Sequence, residues 1–141
     1  MRMSERAASG GHASWRPANL TDAVVRYQVG DLDRGIEFYT GQLAFRLEQR
    51  AGPVAIVRRG ALNLLLSGPT SSGSRPMGGE QQTPGGWNRI VLYVDDLDNQ
   101  VDRLRAAGVP LRSGVTVGPG GKQVQIADPD GNSVELHQAP N

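Results

Sequence analysis

Cysteine is absent from the 141-residue chain, which excludes disulfides, thiolate metal sites and a cysteine nucleophile. Histidine is scarce: His12 and His137 are the only two, too few for the histidine-rich ligand sets of many catalytic metal sites. No apolar run approaches the length of a membrane span, and the first twenty residues lack the apolar centre of a secretory leader. The net charge of +1 is carried by scattered residues, so no electrostatic footprint for nucleic acid or a membrane surface is present. The expectation is a cytoplasmic protein with neither kind of partner.

What is present suits one soluble domain. A hydrophobic content of 38% in a chain of this length buries one real core but leaves little for two independent ones. Residues 1–20 are small and polar and read as a disordered tail, because they cannot bury enough surface to offset the entropy of ordering. Residues 21–138 read as a single domain.

Within that domain one phrase occurs twice. Tyr27-Gln28-Val29-Gly30-Asp31-Leu32-Asp33 returns as Tyr93-Val94-Asp95-Asp96-Leu97-Asp98. Each copy ends an apolar strand-like run and opens a helix-period stretch, Leu32, Ile36, Tyr39 and Leu43 in the first and Leu97, Val101, Leu104 and Val109 in the second. The repeated acids Asp31, Asp33, Asp95, Asp96 and Asp98 stand at helix starts, where capping and the helix dipole account for them without any chemistry. Gly41 is the expected stop of the first helix.

Strand-like segments follow the first helix at Phe45–Gln49, Val54–Val57 and Leu62–Leu66, and the second helix, Leu97–Ala107, at Leu111–Ser113, Gln123–Ala127 and Ser133–His137. With opening strands at Ala23–Val29 and Arg89–Val94, both halves read βαβββ. Unit one spans 21–67 and unit two 88–138. Between them, residues 68–87 are thick with Gly, Pro, Ser and Gln and read as a linker or flexible lid. The class is α+β. Matching Val54-Ala55-Ile56 to Val124-Gln125-Ile126 and Gly60 to Gly131 keeps the halves in step.

Alternation assigns faces. Ile90, Leu92, Val94, Val134 and Leu136 point to the helices, as do Val25, Tyr27 and Val29. Arg89, Val91, Tyr93, Ser133, Glu135 and His137, together with Val24, Arg26 and Gln28, take the opposite face, whose polar character suggests a concavity for solvent or ligand. Asp128-Pro129-Asp130-Gly131-Asn132 is turn chemistry, with its glycine misplaced for a calcium loop. Gly118-Pro119-Gly120-Gly121-Lys122 lacks the first Gly and final Ser or Thr of a phosphate loop and reads as a mobile hairpin over the mouth of that concavity.

Two βαβββ units, the paired Asp-Leu-Asp helix starts and the closing Asp128-Pro129-Asp130-Gly131-Asn132-Ser133-Val134-Glu135-Leu136 resemble the vicinal oxygen chelate superfamily, the glyoxalase, bleomycin-resistance and extradiol-dioxygenase proteins, over residues 22–138. The resemblance implies one cup-shaped mixed β-sheet with helices on its outer face, a homodimer, and a divalent metal held from the first and last strands of each unit. Carried over, the four ligand places fall at Val24, Leu64, Arg89 and Glu135. Only Glu135 has a donor atom fit for a metal, and His137, two residues along the strand, is about 6–7 Å further on. No cofactor is therefore expected. Arg89 is expected to stand in for the cation and pair with Glu135.

The candidate ligand-binding residues are Arg26, Gln28, Trp87, Arg89, Tyr93, Glu135 and His137. Arg26 and Arg89 either hold a carboxylate or phosphate of a ligand or form salt bridges within the cup. Glu135 is either a catalytic base or half of an interior ion pair. Trp87 either stacks on a ligand or anchors the chain as it enters unit two. The leading expectation is a metal-free protein that binds a drug or metabolite in the cup between its units. One alternative is an enzyme of the glyoxalase or dioxygenase type, with a divalent metal or working through Glu135, Arg89 and His137. The other is a dimerising module whose cup is filled.

Overall fold

A computed structural model describes residues 23–140; the expected tail, with His12, lies outside the described residues. Unit one runs β1 (Val25–Gln28), α1 (Leu32–Gln42), β2 (Arg46–Ala51), β3 (Val54–Arg59) and β4 (Leu62–Ser67). Unit two repeats the order as β5 (Ile90–Tyr93), α2 (Leu97–Ala106), β6 (Thr116–Gly118), β7 (Gly121–Ala127) and β8 (Ser133–Gln138). The α+β class and the doubled βαβββ unit are as the sequence predicts. The strands form two four-stranded sheets, β1-β4-β3-β2 and β5-β8-β7-β6, each mixed, with the first strand parallel to the last and the other pairings antiparallel.

The helices start where the acids predict. Asp31 accepts a hydrogen bond from Arg34 N and Asp96 from Asn99 N, both at 3.1 Å, satisfying amides that have no partner inside the helix. α1 ends at Gln42, next to the expected stop, but without a glycine cap. Gly41 lies inside the helix, and the left-handed residue beyond its end is Ala44, at φ 60°. Unit two uses Gly108, at φ 80°, for the same job.

One apolar core joins the units. Leu32, Phe38 and Tyr39 of α1 and Leu97, Val101 and Leu104 of α2 pack with Ala55, Val57, Leu64 and Leu66 from one sheet and Leu92, Val124, Ile126, Val134 and Leu136 from the other. Tyr39 meets Phe38 and Phe45 edge-on, with ring centroids 5.1 and 5.4 Å away. The sheets thus present their apolar faces to the helices and to each other's unit, leaving the opposite faces for the site.

One local reading is corrected. Leu111–Ser113 forms only a bridge from Leu111 to Ile126, and the regular strand begins later, at Thr116; Ser113 donates no ladder bond there but accepts Gln125 N on its hydroxyl. The 68–87 segment is tied down by its own bonds: a 3₁₀ turn at Ser72–Ser74, a bridge between Met77 and Glu80, and side-chain bonds from Gln81 to Ser74 O and Gln82 to Arg75 O. Polar composition removed the hydrophobic period but supplied these local donors and acceptors.

Candidate functional site

In unit two the parallel register of β5 on β8 sets Val91 beside Glu135 and Tyr93 beside His137. The antiparallel register of β7 then sets Gln125 against Glu135 and Gln123 against His137. Because Val124, Ile126, Val134 and Leu136 face the core, their alternating neighbours share the open face. Gln123 and Gln125 belong to this row although no candidate list drawn from the first and last strands contains them; the signal was the polar alternation in Gln123-Val124-Gln125-Ile126.

The charged groups meet as expected and more closely than backbone spacing suggests. Arg89 Nε donates to Glu135 Oε1 at 2.9 Å, and His137 Nδ1 lies 3.1 Å from Glu135 Oε2. The expected separation of Glu135 and His137 is corrected: their backbones are two residues apart, but the side chains lean together. His137 Nε2 lies 2.8 Å from the Gly120 carbonyl. Both ring nitrogens therefore face acceptors, which only the imidazolium satisfies. The Gly120 carbonyl first, and Glu135 second, raise the His137 pKa above its ordinary value.

Around this triad, the Tyr93 ring stands edge-on to His137 with centroids 5.3 Å apart. The β6–β7 hairpin closes one side, leaving a cavity of about 200 Å³ lined by Thr116, Val117, Gln123 and His137 among others. Gly121 of that hairpin has φ 113°, and a Cβ there would collide with the Gln138 carbonyl, so glycine is required. Trp87 is exposed, and the Arg112 guanidinium lies 3.8 Å from the centre of its ring. Arg89 Nη1 also donates to the Trp87 carbonyl at 3.3 Å.

Arg26 and Gln28 form a second group on unit one. Arg26 Nη1 donates to Ser67 Oγ at 2.7 Å, Gln28 Nε2 donates to the Gly73 carbonyl, and Ser74 Oγ donates to Gln28 Oε1 at 3.3 Å. The 72–74 turn lies against them. The seven candidates thus divide between the two units, with Trp87 just ahead of the second, and the bonds given for Arg26 and Gln28 do not reach the Glu135 group.

Leu64 requires a correction. It pairs with Val25, is fully buried and belongs to the shared core. The open-face positions of β4 are Asn63, Leu65 and Ser67. By register Leu65, opposite Ile56, corresponds to Glu135, opposite Gln125. Placing Leu64 opposite Glu135 sets the halves one residue out of step, and a slip of one exchanges the faces of a strand. The chemical consequence is unchanged, since leucine offers no donor at either place. The four positions are then Val24, Leu65, Arg89 and Glu135, and this donor set does not fit a divalent metal. Among the described residues no group of three or more His, Asp or Glu side chains could hold one.

The closing turn does more than reverse the chain. Asp128, buried, accepts hydrogen bonds from Asp130 N, Asn132 N, Asn132 Nδ2 and the Tyr39 hydroxyl. Asp130 Oδ1 accepts from Gly30 N at 2.9 Å and Arg34 Nη2 at 2.7 Å, and Asn132 Nδ2 donates to the Gln28 carbonyl at 2.7 Å. These partners beyond the turn lie in unit one, and Asn132 Oδ1 also accepts from Gly85 N of the 68–87 segment at 2.8 Å. Tyr27 adds a further stitch, donating to the Ser133 carbonyl and accepting from Ile90 N. No helix of the described residues is long and apolar enough to cross a membrane.

Comparison with known proteins agrees with this architecture. No curated protein sequence matches the chain. Among solved structures, a lactoylglutathione lyase from Agrobacterium tumefaciens is 26% identical, with 84% of this chain and 94% of that one covered and a TM-score of 0.62. TioX from Micromonospora sp. ML1 shares the fold at 20% identity, 85% and 99% coverage and a TM-score of 0.69. The fosfomycin resistance protein FosX from Listeria monocytogenes does so at 15% identity, 86% and 94% coverage and a TM-score of 0.66. A sequence profile of the Glyoxalase/Bleomycin resistance protein/Dioxygenase superfamily matches residues 22–136, and the chain belongs to that superfamily.

Proposed function

We propose that the protein is a metal-free small-molecule binder that takes an anionic drug or metabolite on the open face of unit two. The observation that carries this reading is that both oxygens of Glu135 are engaged by cations, Oε1 by Arg89 and Oε2 by His137. A carboxylate held in this way is neutralised within the protein and is a poor metal ligand or general base. With His137 protonated, the triad carries a net positive charge. Arg112 beside Trp87 adds to it, which favours a carboxylate, phosphate or phosphonate group. Tyr93 and Gln123 supply orienting hydrogen-bond groups, as small-molecule sites do. Both His137 nitrogens already have partners, which disfavours proton transfer to a substrate.

The reading includes a homodimer. Among the described residues, strands β1 and β5 are each paired on one side only, and Val24, Val25, Val91 and Tyr93 on and next to those edges are exposed apolar side chains. A second copy would cover them. Sedimentation at micromolar concentration tests this part, and a monomer at all concentrations overturns it.

Thermal shift against a panel of small carboxylates, phosphonates and antibiotics tests the binding itself, with the parent and Arg89→Gln compared. A ligand selective for the folded state raises Tm by mass action. A hit lost in Arg89→Gln supports the reading, whereas no hit, or one indifferent to Arg89, rejects it. Metal analysis of protein purified without chelator is the companion measurement: a stoichiometric divalent ion lost in Glu135→Ala refutes the metal-free assignment.

A further inference from the structure

A different cavity, of about 300 Å³, lies at the seam between the units, on the core side of the sheets. Its lining combines the end of α1, at Gln42 and Leu43, with Arg59 at the end of β3, Arg103 of α2, and Val94 and Leu136 of unit two. Two guanidiniums therefore share one small space, and no carboxylate is among its lining residues.

Their existing partners are neutral. Arg59 Nη1 donates to the Leu43 carbonyl at 3.1 Å and its Nη2 to the Tyr93 carbonyl at 2.9 Å. Arg103 Nη2 donates to the Gln42 carbonyl at 2.8 Å and to Gln100 Oε1 at 2.7 Å, and its Nη1 to Gln42 Oε1 at 3.2 Å. Carbonyls of a helix end carry only a fractional negative charge. Neither arginine makes an ion pair among the described residues, in contrast to Arg34, Arg46, Arg50 and Arg89. A guanidinium has five N–H donors, so Nε of both arginines and further Nη hydrogens remain for another acceptor.

We propose that this seam cavity is an anion site, taking a tetrahedral dianion such as inorganic phosphate or the phosphate of a small ester between Arg59 and Arg103. The planar fork of arginine matches phosphate oxygens in pairs of hydrogen bonds. The cavity is at the small end of the range for ligand sites, which favours a compact ion over a large metabolite. Partial burial lowers the Arg59 pKa, the mark of a cation withdrawn from water without a counter-charge, and an entering anion relieves that cost. Because Arg59 also holds the Tyr93 carbonyl, the ion would sit near the end of β5, whose Tyr93 side chain stands beside His137 on the open face.

The test is thermal unfolding with inorganic phosphate and, separately, phenyl phosphate, at ionic strength held constant with sodium chloride. The expected result is a saturable rise in Tm with phosphate. The apparent Kd weakens about tenfold or more in Arg103→Gln, whose side chain is exposed and whose loss spares the fold, and it is unchanged in Arg46→Gln, an exposed arginine paired with Glu48 that lines neither cavity. Arg59→Lys, which keeps the charge but loses the fork, should also weaken binding. Saturation by phenyl phosphate at lower concentration assigns the site to an ester, and saturation by phosphate alone assigns it to the free ion. A shift that sodium chloride reproduces, or that survives Arg103→Gln, overturns the proposal. A shift lost in Arg89→Gln and kept in Arg103→Gln also overturns it, because it places the ion in the other site.

Discussion

The hydroxyl of Tyr39, in the first helix, donates to Asp128 Oδ2, in the last turn, across 2.8 Å. Both groups are buried, so the bond forms where no water can replace it. Burial first, and the Asp128 charge second, push the Tyr39 pKa far up and keep the phenol protonated as the donor. Tyr39→Phe leaves Asp128 with one fewer donor to its charge, and the expected loss is about 1–3 kcal/mol of folding stability. Urea unfolding of the two proteins measures it. A change within error would mean that the turn is held to unit one by Asp130 and Asn132 alone.

Glu135 is the hub of the second buried network, and its two cations make the outcome of removing it asymmetric. Glu135→Gln leaves Arg89 and His137 facing an amide, and stability should fall by about 1–3 kcal/mol. Arg89→Gln should cost less, because Arg89 is partly exposed while His137 still pairs with the carboxylate. The double variant should cost less than the sum of the two, with a coupling of about 1 kcal/mol. Strict additivity in denaturant midpoints would show that the pair contributes nothing to folding.

The parts of this architecture that were legible in the sequence are those in which each strand or helix carried its own phase. Val134 and Leu136 alternate with Ser133, Glu135 and His137, and Arg89 and Tyr93 flank the Ile90 and Leu92 row, so the open face is readable and the Arg89–Glu135 contact follows from it. Leu62-Asn63-Leu64-Leu65-Leu66 is apolar on both faces and carries no such phase; only Asn63 and Ser67 mark the open side, and overlooking them put Leu64 where Leu65 stands. The bonds of Asp128, Asp130 and Asn132 to unit one link residues about ninety or more positions apart, and turn chemistry within the motif accounts for the same residues without them. Seam residues Arg59 and Arg103 carry no motif at all. Their proximity is a product of how two helices and a hairpin pack.

His137 should give the site a pH dependence with a definite sign. Its pKa is raised in the folded protein, so the imidazolium favours folding. That contribution is fully present below the unfolded value of about 6.5 and is lost as pH rises through the folded pKa. Parent and His137→Gln should therefore differ most in acid-neutral buffer and converge as pH increases. Urea midpoints across pH 5.5 to 9, with an NMR titration of the ring, measure this. A gap that widens with pH would reverse the assignment and require a neutral imidazole. Binding of an anion near Arg89 should weaken over the same window.

Ala44 provides a test in the stabilising direction. It is the one non-glycine residue with positive φ among the described residues, and it follows the end of α1 where α2 is followed by Gly108. An L side chain in this conformation brings Cβ close to the next carbonyl, at a cost of roughly 1–2 kcal/mol. Glycine avoids that cost but loses more freedom on folding, by roughly 0.5–1 kcal/mol relative to alanine. Ala44→Gly should thus raise stability by up to about 1 kcal/mol, visible as a higher Tm with an unchanged denaturant m-value. Because Ala44 also lines the seam cavity but presents only a methyl group, phosphate affinity should not change with it. A lower Tm would mean that the methyl group packs well enough at this helix end to outweigh its backbone strain.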